Sequence, residues 1–540
     1  AVWPLDLPPH RGYHHSMTEK SKLLSITSRS GLMHDLLLPT LLFAALGGMT
    51  WAVRGSSGFG ASAGCIFAGV ALGAAWWFIA REPQGRQTRR YCSGWIILAM
   101  TVGFGIAGNR GWMQWPAFWD NRLYIESQSD NFVTIDRSYG FLWLFIAGVP
   151  WAGMGACMLA WCASGRRTGP WLWLVRLAFG IGMCYLLSVV LFDRYPSVFL
   201  PLYDSLKDKY AASARGHALW KMIRDNREAM QQMGLYLGFL LFEVVRRDWK
   251  NVTLISTVGL VNGLGWSLLQ NWSWAKRLWP GVNFNFWRCW ETSGGISIGI
   301  AFGLAYFLVN RRMSEEEIEE ADALRRNART PDWTWLLTYV VYVAALGYIA
   351  PEVMPDWGPV VCAAVGSLIA IAFGVGYYLK ANAKGPRIDP AWSVDSPILE
   401  KWGAYTGLIL GLGISIERGV KGWGNIYYGN EHMWDNVAWA VVGPIMAILM
   451  IVAAVWLLRS YRPGSPDTDV FPHAFGLIWV VLICQNVIAQ FITGPHTNWS
   501  EVAFDIYYLL LFFITVPIVY HFHYVKTLHR VLSRKLVETS

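Results

Sequence analysis

Glu291 opens one long apolar run, and Asp505 sits about a turn inside another. A carboxylate at membrane depth is expensive enough to mark a site. Similar polar residues recur along the chain. Glycine-rich segments are followed by Arg54, Asn109 and Arg110, Gln270 and Asn271, Glu417 and Arg418, and Gln485 and Asn486. The runs that come next open with Asp136, Glu291, Asp435 and Glu501, often beside tryptophan, as in WRCWETSGG and HMWDNVAW. Guanidinium, amide and carboxylate groups among aromatic faces suit a polyhydroxylated or anionic ligand. Indole rings stack on sugar C–H faces, and arginine grips carboxylate or phosphate with two parallel hydrogen bonds.

The expected binding set is therefore Arg54, Arg110, Gln270, Asn271, Glu291, Glu417, Arg418, Asp435, Gln485, Asn486 and Asp505, with Trp272, Trp290 and Trp434. Packed around one axis, these residues would ring a pocket that opens outward, with Trp112, Trp115, Trp274, Trp423 and Trp499 adding to its wall. Each has a plainer account. Glu291, Asp435 and Glu501 suit helix N-termini as caps, Arg54, Arg110 and Arg418 suit helix ends, and the tryptophans suit an interfacial belt. Asp505 has no capping role to fill. A route inward from the pocket would use milder groups such as Ser256, Thr257, Asn262, Ser297, Thr406 and Ser415. Arg176 and Glu243, near the opposite ends of their runs, read as packing or gate charges.

No catalytic constellation is convincing: HExxH and Walker A are missing, no GxGxxG follows a strand, and the Gly-x-Ser-x-Gly at 60–64 falls inside an apolar run of small residues. His432 near Asp435 and His496 near Glu501 are the acid–base pairings within reach. The eight cysteines show no CxxC and no loop pairing, so neither a zinc site nor a disulfide framework is expected. No cofactor is expected.

The elements that must hold these residues follow from composition. Of 540 residues, 54% are hydrophobic and only 15% charged, against about 25% charged in soluble domains. The 32 tryptophans gather at the ends of apolar runs. The net charge of +9 does not point to nucleic acid, because Lys and Arg lie in the short connections between runs. Apolar runs fall at 33–53, 57–80, 92–108, 138–164, 170–192, 231–247, 251–272, 289–310, 333–350, 357–379, 398–416, 434–458, 472–492 and 500–520. Each approaches the roughly 20 residues that cross a bilayer. Basic residues load alternate connections, including Arg89 and Arg90, Arg246 and Arg247, and Arg311 and Arg312, which places that side and both termini in the cytoplasm.

The fold expected is all-α and polytopic, with about 14 transmembrane helices arranged as repeated hairpins that all point the same way. Gly259 to Asn310 is the clearest of them. Small residues in 60–75 and 294–303 favour close helix approach. A cytoplasmic tail at 1–32, with 1–16 an extension ahead of Met17, precedes one transmembrane domain at 33–520, and a second tail follows at 521–540. An outer amphipathic loop at 193–230 is a lid candidate. In the inner loop at 314–329, Ser314 and Glu317 form a capping box. The expected function is that of a transporter-like protein of the bacterial inner membrane for a polar solute, a sugar or an organic anion, with membrane lipids as its surroundings. The alternative is a membrane-embedded transferase or hydrolase acting on a lipid-linked or periplasmic glycan, with Glu291, Asp435 or Asp505 as general acid or base. A scaffold without chemistry is a third expectation.

Overall fold

The computed structural model of the chain describes residues 31–56, 61–81, 88–108, 115–126, 131–162, 170–214, 217–269, 286–327 and 499–538, with isolated positions between 272 and 284 and between 403 and 484. The described part is mostly helical. A π-helical turn at Met33–Leu37 leads into α1 (Leu38–Ser56), followed by α2 (Ala61–Ala80) and α3 (Trp95–Ala107). A short α4 (Trp115–Trp119) and an antiparallel pair, β1 (Arg122–Tyr124) with β2 (Phe132–Thr134), precede α5 (Ser138–Trp161). α6 (Pro170–Tyr185) continues through a π-helical stretch at Leu186–Phe192. Then come α7 (Pro196–Phe199), α8 (Lys207–Ala212), α9 (Ala218–Val245), α10 (Trp249–Leu269), α11 (Phe286–Val309), α12 (Glu315–Asn327) and α13 (Trp499–Glu538).

Among the described residues six stretches are long and apolar enough to cross a membrane: Met33–Trp51, Ser138–Trp161, Leu174–Phe192, Trp249–Leu269, Arg288–Val309 and Val502–Val525. Gly64–Ala80 and Trp95–Ala107 are shorter apolar helices. The runs expected at 333–350, 357–379, 398–416, 434–458 and 472–492 lie wholly or largely outside the described residues, and so does most of the hairpin repeat. The run at 231–247 belongs to a 28-residue helix, α9, that starts within the segment expected as an outer loop. Likewise α13 runs through the boundary expected at 520 and on to Glu538.

Helices approach where side chains vanish. Glycines in the 294–303 run set α11 against α1, and a Cβ added at Gly295 would lie only 2.6 Å from Trp51 Cβ. In the 60–75 run, a Cβ at Gly69 would lie 2.8 Å from Thr101 Cα on α3. Such contacts replace the hydrophobic driving force that lipid does not supply. Consecutive helices pair at α2–α3 and α10–α11, while α1 packs on α11 and α5 on α10 across long sequence distances. The core of this four-helix arrangement is a ladder of buried indoles, one from each helix. Trp51 of α1 lies 6.3 Å from Trp151 of α5, which stacks at 5.3 Å on Trp266 of α10, which meets Trp290 of α11 edge-on at 4.9 Å.

Helix ends sort into two sets. At the basic end, Arg89 reaches Asp35 ahead of α1, Arg90 reaches Asp248 ahead of α10, and Asn251 of α10 donates to Ala160 O of α5. The expected capping box forms beside them: Ser314 N donates to Glu317 Oε2 at 2.9 Å and Glu317 N to Ser314 Oγ at 3.2 Å. The far end carries a cap made of α4, the β-pair, α7, α8 and the first turns of α9. Trp115 Nε1 donates to buried Asn226 Oδ1 at 2.7 Å, Asn226 Nδ2 donates to Phe199 O at 3.1 Å, and Arg227 pairs with Asp193. Tyr210, buried in the cap, donates to Pro201 O, and burial pushes its phenol well above the usual range.

Candidate functional site

Buried polar side chains collect on α10 and α11 at three depths. The far-end cluster begins in the first turns of α11. Arg288 is buried there, with its guanidinium carbon 5.8 Å from the ring centre of Phe504 on α13. One turn on, Thr292 Oγ1 and the Tyr508 hydroxyl of α13 lie 3.3 Å apart. Glu291 and Asp505 belong to this layer. Glu291 is 3% exposed and falls in the second turn of α11, so it is not a cap of that helix. Capping is instead what Asp136 does, accepting the Ser138 N–H at 2.7 Å at the start of α5.

The aromatic members of the expected set separate. Trp290 is buried in the indole ladder. Trp272 is 38% exposed and donates to Ser293 Oγ at 3.1 Å. Trp115 is part of the cap core, stacked on Trp143, and Trp499 is exposed beside Phe284. Arg54 lies in the last turn of α1, with its side chain outside the described residues. Arg110, Gln270, Asn271, Glu417, Arg418, Trp434, Asp435, Gln485 and Asn486 lie outside them altogether.

The middle depth is held by Asn262, fully buried one turn below Trp266 on α10. Thr50, Thr101 and Ser267 bond to carbonyls of their own helices. Asn262 reaches across to α5, where its Nδ2 donates to Gly148 O at 2.6 Å. That bond fixes the amide orientation and leaves Oδ1 buried without a hydrogen-bond partner among the described residues. An unmade hydrogen bond of this kind costs about 1–3 kcal/mol, so a donor is wanted there. Ser297 of α11 packs at the same depth against Gly265.

The basic end holds the third cluster, centred on Glu243 and spread over five elements. Arg176 of α6 donates Nε to Glu243 Oε1 at 2.6 Å, and both side chains are about 1% exposed. The guanidinium carbon of Arg176 lies 5.5 Å from the Trp161 ring centre and 5.3 Å from that of Phe242. Asn251 Nδ2 donates to Glu243 Oε2 at 2.9 Å, and Tyr91 OH donates to Asn251 Oδ1 at 2.6 Å. Burial pushes the Tyr91 phenol far above its usual range, so it remains a donor. The backbone of Tyr91 is held from both sides by the Asn310 side chain, which accepts from its N–H at 2.9 Å and donates to its carbonyl at 3.0 Å. Sequence reasoning singled out Arg176 and Glu243 but not their pairing, and it missed Arg288, Tyr508, Tyr91, Asn251 and Asn310. Asn251 and Asn310, amides at the edges of apolar runs, carried the signal that was available. Among the described residues no group of three or more His, Cys, Asp or Glu side chains is placed to hold a metal ion.

No protein-family model matches this chain, and no curated protein or solved structure matches it either.

Proposed function

We propose that this chain is a multi-span membrane transporter for a small polar solute, with the far end facing outward and the basic end, by the positive-inside rule, in the cytoplasm. The observation that carries the reading is the succession of buried polar groups along one helix pair. It runs from Arg288, Glu291 and Thr292, through Asn262 and Ser297, to Asn251 and Asn310. Buried polar groups at three successive depths, and not only at the outer end, favour a transport route over an enzyme with an outer pocket alone. Asn262 lies about 16 Å along α10 from Asn251 by helical rise, well inside the apolar slab. Its amide N–H is engaged and its buried oxygen lacks a donor among the described residues, so the solute that meets it carries hydroxyl or N–H donors. This favours a sugar over a fully ionised organic anion.

The test is uptake of radiolabelled sugars and sugar acids into proteoliposomes. Accumulation of a neutral sugar by the wild type, lowered about ten- to hundredfold in Asn262→Leu and in Glu291→Gln, supports the proposal. Accumulation no greater than in empty vesicles for the whole panel, or variants indistinguishable from wild type, overturns it. Hydrolysis or transfer of a solute in place of accumulation would turn the assignment to a membrane-embedded enzyme.

A further inference from the structure

One side of the far-end cap continues the exposed apolar side of α6. Leu174–Phe192 is long and apolar enough to cross a membrane, and little of it is buried within the protein. Ile181, Tyr185, Val189 and Val190 are among its exposed side chains. The chain keeps this character after it leaves the span. Tyr195, Val198 and Leu202, in and around α7, are 53%, 70% and 39% exposed.

The segment that carries these three side chains is firmly held. The Phe192 and Phe199 ring centres lie 5.6 Å apart, and Asp193 pairs with Arg227 of α9, whose guanidinium carbon is 5.9 Å from the Phe192 ring centre. Phe199 O accepts from Asn226 Nδ2 at 3.1 Å, and Pro201 O accepts from the Tyr210 hydroxyl at 2.9 Å. Leu200, Leu206 and Tyr210 are buried in the cap, so a fixed backbone displays Tyr195, Val198 and Leu202 on its other side. Leu202 is held at φ 52, in the left-handed region that a leucine ordinarily avoids. A strained backbone that presents a leucine outward is a sign that the leucine meets something there.

Depth and chemistry identify what it meets. The 19 residues of Leu174–Phe192 rise about 28 Å as a helix, close to the roughly 30 Å of the hydrocarbon slab. The residues that follow therefore fall at the level of the lipid headgroups, where tyrosine is favoured and an amphipathic segment sinks its apolar side by about 5–10 Å. Arg194, Lys207 and Lys209 are exposed beside the three apolar side chains and suit lipid phosphates; Asp204 and Asp208 are exposed too, so the contact needs no anionic lipid. A second copy of the chain is a poorer fit, because three side chains fall well short of the about 800 Å² per partner of a stable interface. We propose that segment 195–202 is a membrane foot: Tyr195, Val198 and Leu202 dock the cap on the phospholipid surface of the far-end leaflet. The cap is then held by α9 from within the protein and by lipid from outside it. The foot does not depend on the transport reading.

The test is fluorescence quenching in phosphatidylcholine vesicles. The eight native cysteines are replaced by serine, and a nitrobenzoxadiazole label is placed through Val198→Cys, through Leu202→Cys or, as the reference on the exposed side of α8, through Lys209→Cys. Phosphatidylcholine with a nitroxide at the headgroup level is expected to quench the labels at 198 and 202 on the order of threefold more than the label at 209, and aqueous iodide to show the reverse order. Labels at 198 and 202 that iodide quenches as it does the reference overturn the proposal, since they face water. Labels shielded from both quenchers overturn it as well, because another part of the chain or a second copy then covers the patch. If the cysteine-free protein does not fold, Val198→p-benzoylphenylalanine in the otherwise wild-type chain decides. Ultraviolet adducts with phosphatidylcholine, found by mass spectrometry, support the foot; adducts only with protein, or none, overturn it.

Discussion

At the scale of single residues, the Arg176–Glu243 pair carries the sharpest energetic prediction. Two charges taken out of water are tolerated only because each satisfies the other, with Asn251 supplying a further hydrogen bond. Removing one partner strands the other. Arg176→Met should therefore lower stability by about 3–5 kcal/mol, while Arg176→Met combined with Glu243→Met should recover most of that loss. Thermal unfolding of the detergent-solubilised protein, followed by tryptophan fluorescence, measures both. A double variant as unstable as the single one would show that the pair is not the unit of stability.

At the scale of elements, glycine spacing and helix termini do the positioning. A methyl group at Gly295 has no room against Trp51, and the opposing surface is helix backbone rather than a side chain that can swing away. Gly295→Ala should cost about 1–3 kcal/mol by forcing α1 and α11 apart, read as a lowered midpoint in the same unfolding assay. Loosening there also disturbs the indole ladder, so near-ultraviolet circular dichroism should change with it. The start of α5 gives a pH-dependent counterpart. The Ser138 hydrogen bonds hold the Asp136 carboxyl below its ordinary range. A lowered value means that the ionised form is favoured in the fold, so its contribution is present above the unfolded pKa and fades as pH falls through the folded one. Asp136→Ala is expected to unfold at a lower temperature than wild type at pH 7, and the gap should narrow as pH falls below the ordinary carboxylate range, because protonation then removes the charge in the wild type as well.

At the scale of the whole molecule, some features were legible in the sequence because they depend on near neighbours. The apolar runs through α1, α5, α6, α10, α11 and α13 are such features, and so are the Ser314–Glu317 box and the crowding of small residues where helices touch. Among the described residues, the basic positions Arg89 and Arg90, Arg246, and Arg311 and Arg312 lie at one end of the helices. Pairing at a distance was not legible. Nothing in periodicity says that α1 lies on α11, or that Arg176 finds a carboxylate 67 positions away. The expected hairpin at Gly259 to Asn310 does form an antiparallel pair, but its tightest neighbours come from the first third of the chain. In α9 the amphipathic pattern around Leu219 and Met222 was legible as a helix, but not that it runs on unbroken into the apolar run at 231–247, nor that Asp225 and Asn226 are buried under the cap.

That continuity of α9 has a mechanical meaning. The helix is 28 residues long, about 42 Å by its rise, so it outspans the hydrocarbon slab. It is gripped at one end through Asn226 and Arg227 in the cap and at the other through Glu243. A hydrogen-bonded rod resists stretching far better than the packed side chains around it. A displacement of the cap would therefore be passed along one helix to the Glu243 cluster at its other end, without relying on the softer side-chain contacts around it.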